Sequence, residues 1–153
     1  MPTEQQTIIQ LSNQFTLTDI EVVKIFAPLK SWEDKFRQLM LLGKKLPQLP
    51  IEYQLEQYLV SGCESKVWLL HEWSNDKLCL IASSDAKIVK GLISVVLAAF
   101  NGKTKAQIQA FDLEGYLAQL NLLNQLSPSR ANGLRAIIDK IHNYCSQLNQ
   151  NQR

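Results

Sequence analysis

The chain holds no Cys-x-x-Cys pair, no glycine-rich phosphate loop, only two histidines and no long uninterrupted apolar run. Each absence removes a class of function. Without paired cysteines at metal-ligand spacing, a zinc ribbon or a protein-bound iron–sulfur cluster has no framework. Without a glycine-rich loop, nucleotide chemistry has nothing to cradle a phosphate. The longest apolar stretch, Ile88 to Phe100, is broken by Lys90, Gly91 and Ser94, whereas a membrane-spanning helix needs roughly 20 apolar residues. Met1 to Gln10 lacks the basic start and apolar core of a signal peptide. The expected location is therefore cytoplasmic, with no membrane association, where thiols stay reduced. A net charge of +2 without any lysine–arginine run argues against direct nucleic-acid binding. The three cysteines, Cys63, Cys79 and Cys145, are odd in number and scattered, which suits free thiols better than a disulfide framework.

What is present is an ordinary globular composition, 46% hydrophobic and 20% charged. A length of 153 residues predicts one domain over residues 1–153 with a real hydrophobic core. The first dozen residues are polar and read as a frayed end. Thr18-Asp19-Ile20-Glu21 has capping-box spacing and predicts a helix carrying Ile20, Val23 and Phe26, ended or kinked at Pro28. Ser31 opens a second helix, on which Trp32, Phe36, Leu39 and Met40 follow helical spacing as core residues until Gly43 closes it. Pro47 and Pro50 make residues 46–50 an extended connector. Ile51, Leu55, Tyr58 and Leu59 then mark a third helix.

Lys66 to Trp73 alternates as a strand, and Ser74-Asn75-Asp76 turns it into a second, antiparallel strand over Lys77–Ala82 that contains Cys79. Ser83-Ser84-Asp85 precedes Ile88, Val89, Leu92, Ile93, Val96 and Phe100, a helix apolar nearly all round and hence central. Asn101-Gly102-Lys103 reads as a turn. Thr104 and Gln107 repeat the capping-box spacing, and short helices fill the region to Leu123. Ser127-Pro128 starts a long final helix whose inner face is Leu134, Ile137, Ile138, Ile141 and Cys145.

Cys63 differs from the other two cysteines. It lies in Ser61-Gly62-Cys63-Glu64-Ser65, a tight loop between the third helix and the first strand. Reactive groups are often placed on loops that a scaffold positions, but cysteine is also among the most buried residue types, so spacing alone leaves its role open. His71 and His142 are the only histidines that could serve as a base for a thiol nucleophile, and both read more simply as satisfied polar side chains. Arg130 places a cation in the first turn of the last helix, against the dipole. An anionic neighbour is one reason for that; a solvated arginine is the plainer one.

Several blocks together are similar to the SufE/CsdE family of sulfur-acceptor proteins. They are Phe26-Ala27-Pro28-Leu29-Lys30-Ser31-Trp32-Glu33-Asp34-Lys35-Phe36-Arg37, residues 46–50, Ser61 to Leu69, Ser84 to Leu92, Gly102-Lys103-Thr104 and Leu126 to Leu134. The blocks stand in the family's order and cover nearly the whole chain outside its two ends. The Trp32 block and Gly62-Cys63-Glu64 look closer to the CsdE branch.

The resemblance implies an α+β fold, a small antiparallel sheet flanked by helices, like that of the iron–sulfur scaffold IscU. It implies docking on a pyridoxal-phosphate cysteine desulfurase of the CsdA/SufS type, stimulation of that partner, and receipt of persulfide sulfur on Cys63. The sulfur would pass on to an iron–sulfur scaffold or a tRNA-modifying enzyme. This chain would then be a sulfurtransferase-like partner rather than an enzyme, with no cofactor of its own, and a monomer or weak homodimer. The resemblance also puts Asp85 and Arg130 near the cysteine loop, Arg130 favouring the thiolate or persulfide and Asp85 capping the central helix and holding the loop. The alternatives are a non-covalent allosteric activator, with Cys63 as a packing residue, and an IscU-like cluster scaffold.

Overall fold

In the computed structural model, residues 2–151 are described; β1 (Val67–Ser74) and β2 (Lys77–Ser84) form its antiparallel centre, with β3 (Lys103–Thr104) added beside β2. The hairpin turns through Asn75 and Asp76, both at positive φ (52° and 65°), a two-residue turn whose twist matches the strands. Asparagine and aspartate tolerate that backbone, which is why Asn-Asp turns the chain here. β1 is displaced by one residue from the expected Lys66–Trp73, β2 runs on past the expected Ala82 to Ser84, and β3 falls where a simple turn is expected, because Lys77 and Leu78 pair with Thr104 and Lys103. The α+β class follows directly.

The sheet is a middle layer. One face carries Val67, Leu69, Leu78, Leu80 and Ala82 into the main core, against α4 (Lys87–Phe100) and α7 (Pro128–Asn151). The other face buries Leu70 and Ile81 with Leu49 and Ile8 in a smaller cluster. Ile8 belongs to α1 (Glu4–Ser12), so of the dozen residues expected to fray, Glu4–Ser12 form a packed helix, while Met1 lies outside the described residues. Thr3 and Gln6 make a capping box there, and Ile8 with Leu11 gives the helix an apolar stripe too short to stand out in sequence.

Three further expectations are corrected. Residues 51–59 form two separate 3₁₀ turns, Ile51–Tyr53 and Glu56–Tyr58, and Ile51 is 84% exposed. No side chain caps either turn, and Leu55 between them is extended, so helical spacing had no helix to sustain. On α2 (Asp19–Phe26) the buried residues are Val22 and Phe26, while Ile20 faces solvent. On α3 (Trp32–Gly43) the buried face is Lys35, Leu39, Leu42 and Gly43. Trp32 and Met40 are half-buried and Phe36 exposed.

α3 lies directly on α4. A Cβ at Gly91 would overlap the Leu39 carbonyl, and Ser94 donates to the Leu42 oxygen at 2.8 Å. This close crossing fixes α4, whose next face walls the cysteine loop. Beyond β3 come α5 (Lys105–Ala110), opened by the Thr104–Gln107 capping box, and α6 (Leu113–Leu120). The buried Lys35 ammonium donates to the Asn121 carbonyl at the end of α6.

Candidate functional site

The Cys63 loop is held at its two ends and at one point between. At its start, the Val60 N–H donates to the Val67 carbonyl at 2.9 Å, and Leu59 bridges to Trp68. Gly62 then turns the chain at φ 91°, a backbone that other residues rarely adopt. At its exit, three bonds grip one residue. The Ser84 hydroxyl donates to the Lys66 carbonyl at 2.6 Å, the Asp85 N–H donates to the same oxygen at 3.3 Å, and the Lys66 N–H donates to Asp85 Oδ1 at 3.1 Å. Between the anchors, the Cys63 thiol donates to the Gly133 carbonyl oxygen of α7 at 3.6 Å.

Under the loop lies a cavity of about 290 Å³. Val67, Val89, Leu92, Leu134 and Ile137 give it apolar walls, and Arg130 stands at its side. Cys63 is half-buried, and burial raises its thiol above the ordinary value, with no charged neighbour offsetting the shift. The sulfur therefore rests here as a protonated thiol, shielded and hydrogen-bonded. A thiolate would be the attacking form, so reactivity depends on the loop leaving this position or on a charge arriving beside it.

The three predicted site residues part company. Cys63 and Arg130 line one cavity; Asp85 lies outside it, on the loop's exit anchor. The expected capping role of Asp85 is corrected: the N-cap of α4 is Ala86, with no side-chain cap, because the Asp85 carboxylate is turned to the Lys66 amide. Its loop-holding contact is present in the geometry. Arg130 sits in the first turn of α7, where its N–H donates to the N-terminal Ser127 hydroxyl at 3.3 Å.

Sequence reasoning missed Ser84, which is buried and ties the loop exit to the start of α4 by also accepting from the Ala86 N–H. It also gave no role to Gly133. A glycine inside a helix costs roughly 1 kcal/mol against alanine, and that was the available signal. Here a Cβ at Gly133 would lie 3.5 Å from Cys63 Sγ, in ordinary contact, so the loop packs directly on this position and leaves no room for a side chain larger than alanine's.

The remaining candidates lie elsewhere. Cys79 and Cys145 are buried in the core. His71 stacks on Tyr144 with ring centroids 3.5 Å apart, and burial, then Lys140, pushes it down to about 4. His142 packs edge-on to Phe100. Neither histidine lines the Cys63 cavity. Among the described residues no three His, Cys, Asp or Glu side chains converge as a metal site.

Known proteins give the same geometry a context. A protein-family model described as "SufE: Fe-S metabolism associated domain" matches residues 20–145. The sulfur acceptor protein CsdE of Escherichia coli is 42% identical over 127 residues, covering 82% of this chain and 86% of that protein. An uncharacterized SufE-like protein of Rhizobium meliloti is 38% identical over 125 residues, 79% of this chain and 89% of that one. The solution structure of a hypothetical protein from Thermus thermophilus superposes with a TM-score of 0.67 at 18% identity, covering 84% of this chain and 93% of that one, a likeness of fold.

Proposed function

The chain belongs to the SufE family, in its CsdE branch, and from that premise we propose that it is a sulfur acceptor of iron–sulfur metabolism that takes sulfur onto Cys63. The observation that carries the reading is the placement of Cys63: a thiol on a short anchored loop, closed over a cavity it shares with Arg130. A packing cysteine needs no such loop.

The partner is a pyridoxal-phosphate cysteine desulfurase of the CsdA/SufS type, which carries the outer sulfur as a persulfide on its own cysteine. In the transfer step the Cys63 thiolate attacks that outer sulfur. A new S–S bond forms at Cys63 as the donor's S–S bond breaks, and the electron pair leaves on the donor cysteine's sulfur. The proton given up by Cys63 is balanced by one taken up by that sulfur, so no external oxidant is consumed. The pyridoxal phosphate stays with the partner, and this chain acts as a sulfurtransferase-like acceptor rather than an enzyme. Onward delivery goes to an iron–sulfur scaffold or a tRNA-modifying enzyme. No helix among the described residues is long and apolar enough to cross a membrane, and the proposed setting is the cytoplasm.

The resting thiol is protonated and tucked in, so docking must open the loop before transfer, which makes partner binding a gating step. Arg130 then favours the thiolate or the persulfide of the opened loop, while Asp85 and Ser84 keep the Lys66 hinge fixed. The same burial of Cys63 favours a second reading, an allosteric activator in which the thiol only packs. Desulfurase turnover with wild type and Cys63→Ser separates them: the acceptor reading predicts that stimulation is lost in the variant, and retained stimulation would leave only the activator.

A further inference from the structure

The cavity beneath the Cys63 loop is larger than the thiol needs. Protein interiors hold few voids wider than a water molecule, yet about 290 Å³ is open here. An apolar cavity of about 150 Å³ is enough to take up a benzene molecule. One sulfur atom added to Cys63 would fill only a small part of the space.

Its lining is of two kinds. Val89 and Leu92 of α4 and Leu134 and Ile137 of α7 form apolar walls. Beside them stand one anion and one cation, Glu64 of the loop and Arg130 of α7. Both of these residues are exposed, which puts the charges at the mouth and the apolar walls inside. Neither ion pair found among the described residues, Arg37–Asp34 or Arg135–Glu114, engages them, and neither charge offsets the burial of the Cys63 thiol. An anionic ligand would be opposed by Glu64 and a cationic one by Arg130. A zwitterion with an apolar body satisfies both charges and the walls together.

We infer that this cavity binds a free α-amino acid with an apolar side chain of about leucine's size. Its carboxylate meets Arg130, its ammonium group meets Glu64, and its side chain lies between α4 and α7. The lining comes from the loop and from both helices, so the site is complete only while the loop is closed. Occupancy therefore holds Cys63 shut and engages Arg130, and sulfur transfer falls as the amino acid rises. That regulatory consequence rests on the sulfur-acceptor reading; the binding itself does not.

The test uses the full chain with free leucine as the probe. Methyl resonances of Leu92 and Ile137 follow binding and give its dissociation constant. Alkylation of Cys63 by iodoacetamide, read by peptide mass, follows the loop. With leucine at about four times its dissociation constant, alkylation is expected to slow about fivefold, because the ligand binds only the closed loop. Glycine, which has the charges without the side chain, is expected to leave both readouts unchanged. Glu64→Gln should weaken binding of leucine but not of isocaproate, which lacks the ammonium group, whereas Arg130→Gln should weaken both. Both positions are exposed, and thermal melting verifies that the variants are folded. No methyl shift with leucine overturns the inference, as does leucine binding that leaves alkylation unchanged. Leucine binding that is equal in wild type and both variants reduces the site to an apolar hole and overturns the amino-acid assignment. A wild-type chain that takes no sulfur from a cysteine desulfurase, while leucine still slows alkylation, overturns the acceptor reading and leaves this site standing.

Discussion

Cys63 Sγ lies 3.6 Å from the Gly133 carbonyl oxygen, and this contact ties the tip of the cysteine loop to α7. Gly133 has no large side chain to obstruct it. Alanine there would put its Cβ at ordinary contact distance, 3.5 Å from the sulfur. Gly133→Ala should therefore keep the loop closed and stabilise the chain by up to about 1 kcal/mol through helix propensity. Gly133→Val, with two more carbons aimed at the loop, should displace it and speed alkylation of Cys63. Melting and iodoacetamide kinetics measured together check both halves.

Burial raises the Cys63 thiol above its ordinary 9.0. The unfolded chain thus releases this proton at lower pH than the folded one, and the stability it contributes is present below 9.0 and is lost as pH rises through the folded value. At about pH 8 the native thiol should alkylate more slowly than the same thiol in denaturant. Equal rates would mean that the loop does not shield it.

His71 shifts in the opposite sense, held neutral down to about 4 by burial and by Lys140. The unfolded histidine takes a proton near 6.5, so stability is full above that pH and falls between 6.5 and about 4. With allowance for solvent screening at this partly exposed ring, the loss is on the order of 1–2 kcal/mol. His71→Phe keeps a ring against Tyr144 and should flatten that acid limb in urea melts measured across the range.

Arg130 shares the cavity with Cys63 yet leaves the resting thiol's titration to burial. Arg130→Ala should accordingly slow transfer from the desulfurase, with Arg130→Lys recovering part of the rate, while the Cys63 pKa of the free chain stays put. A variant that transfers sulfur as fast as wild type would remove Arg130 from the site.

Lys66 is gripped through its backbone by Ser84 and Asp85. Ser84→Ala leaves the Ala86 amide without its acceptor and weakens the hold on Lys66, at a cost of about 1–2 kcal/mol. Asp85→Ala, at an exposed position, should cost less but raise hydrogen exchange at the Lys66 amide. Unchanged exchange in both variants would show that the loop exit is held by other means.

Much of this was legible in the residues, for physical reasons that differ by element. The hairpin, α4 and α7 were readable because their apolar pattern and turn chemistry agree with their burial; Thr18, Thr104 and Ser127 announce helix starts through local bonds that the structure makes. Cys63 stood out because Gly62 sets it on a loop. The failures share a cause, which is that tertiary contacts overruled local spacing. Residues 51–59 carry helical spacing, but Tyr53 and Tyr58 are drawn onto the second sheet face, with Tyr58 donating to Glu4, and the segment breaks into turns. Trp32, Phe36 and Met40 share a helical face, but Lys35, Leu39 and Leu42 are the residues turned to the core, and no local pattern nominates a buried lysine. Asp85 resembles a helix cap until the loop supplies it with a different donor. Gly133 acquires meaning only when the loop, 70 positions earlier, closes on it.

The most direct measurement is intact-protein mass spectrometry of the chain after incubation with a cysteine desulfurase, pyridoxal phosphate and free cysteine. The account predicts a gain of one sulfur atom, removed by a thiol reductant and absent from Cys63→Ser. A wild-type chain that gains no sulfur, or a Cys63→Ser chain that gains it equally, would contradict it.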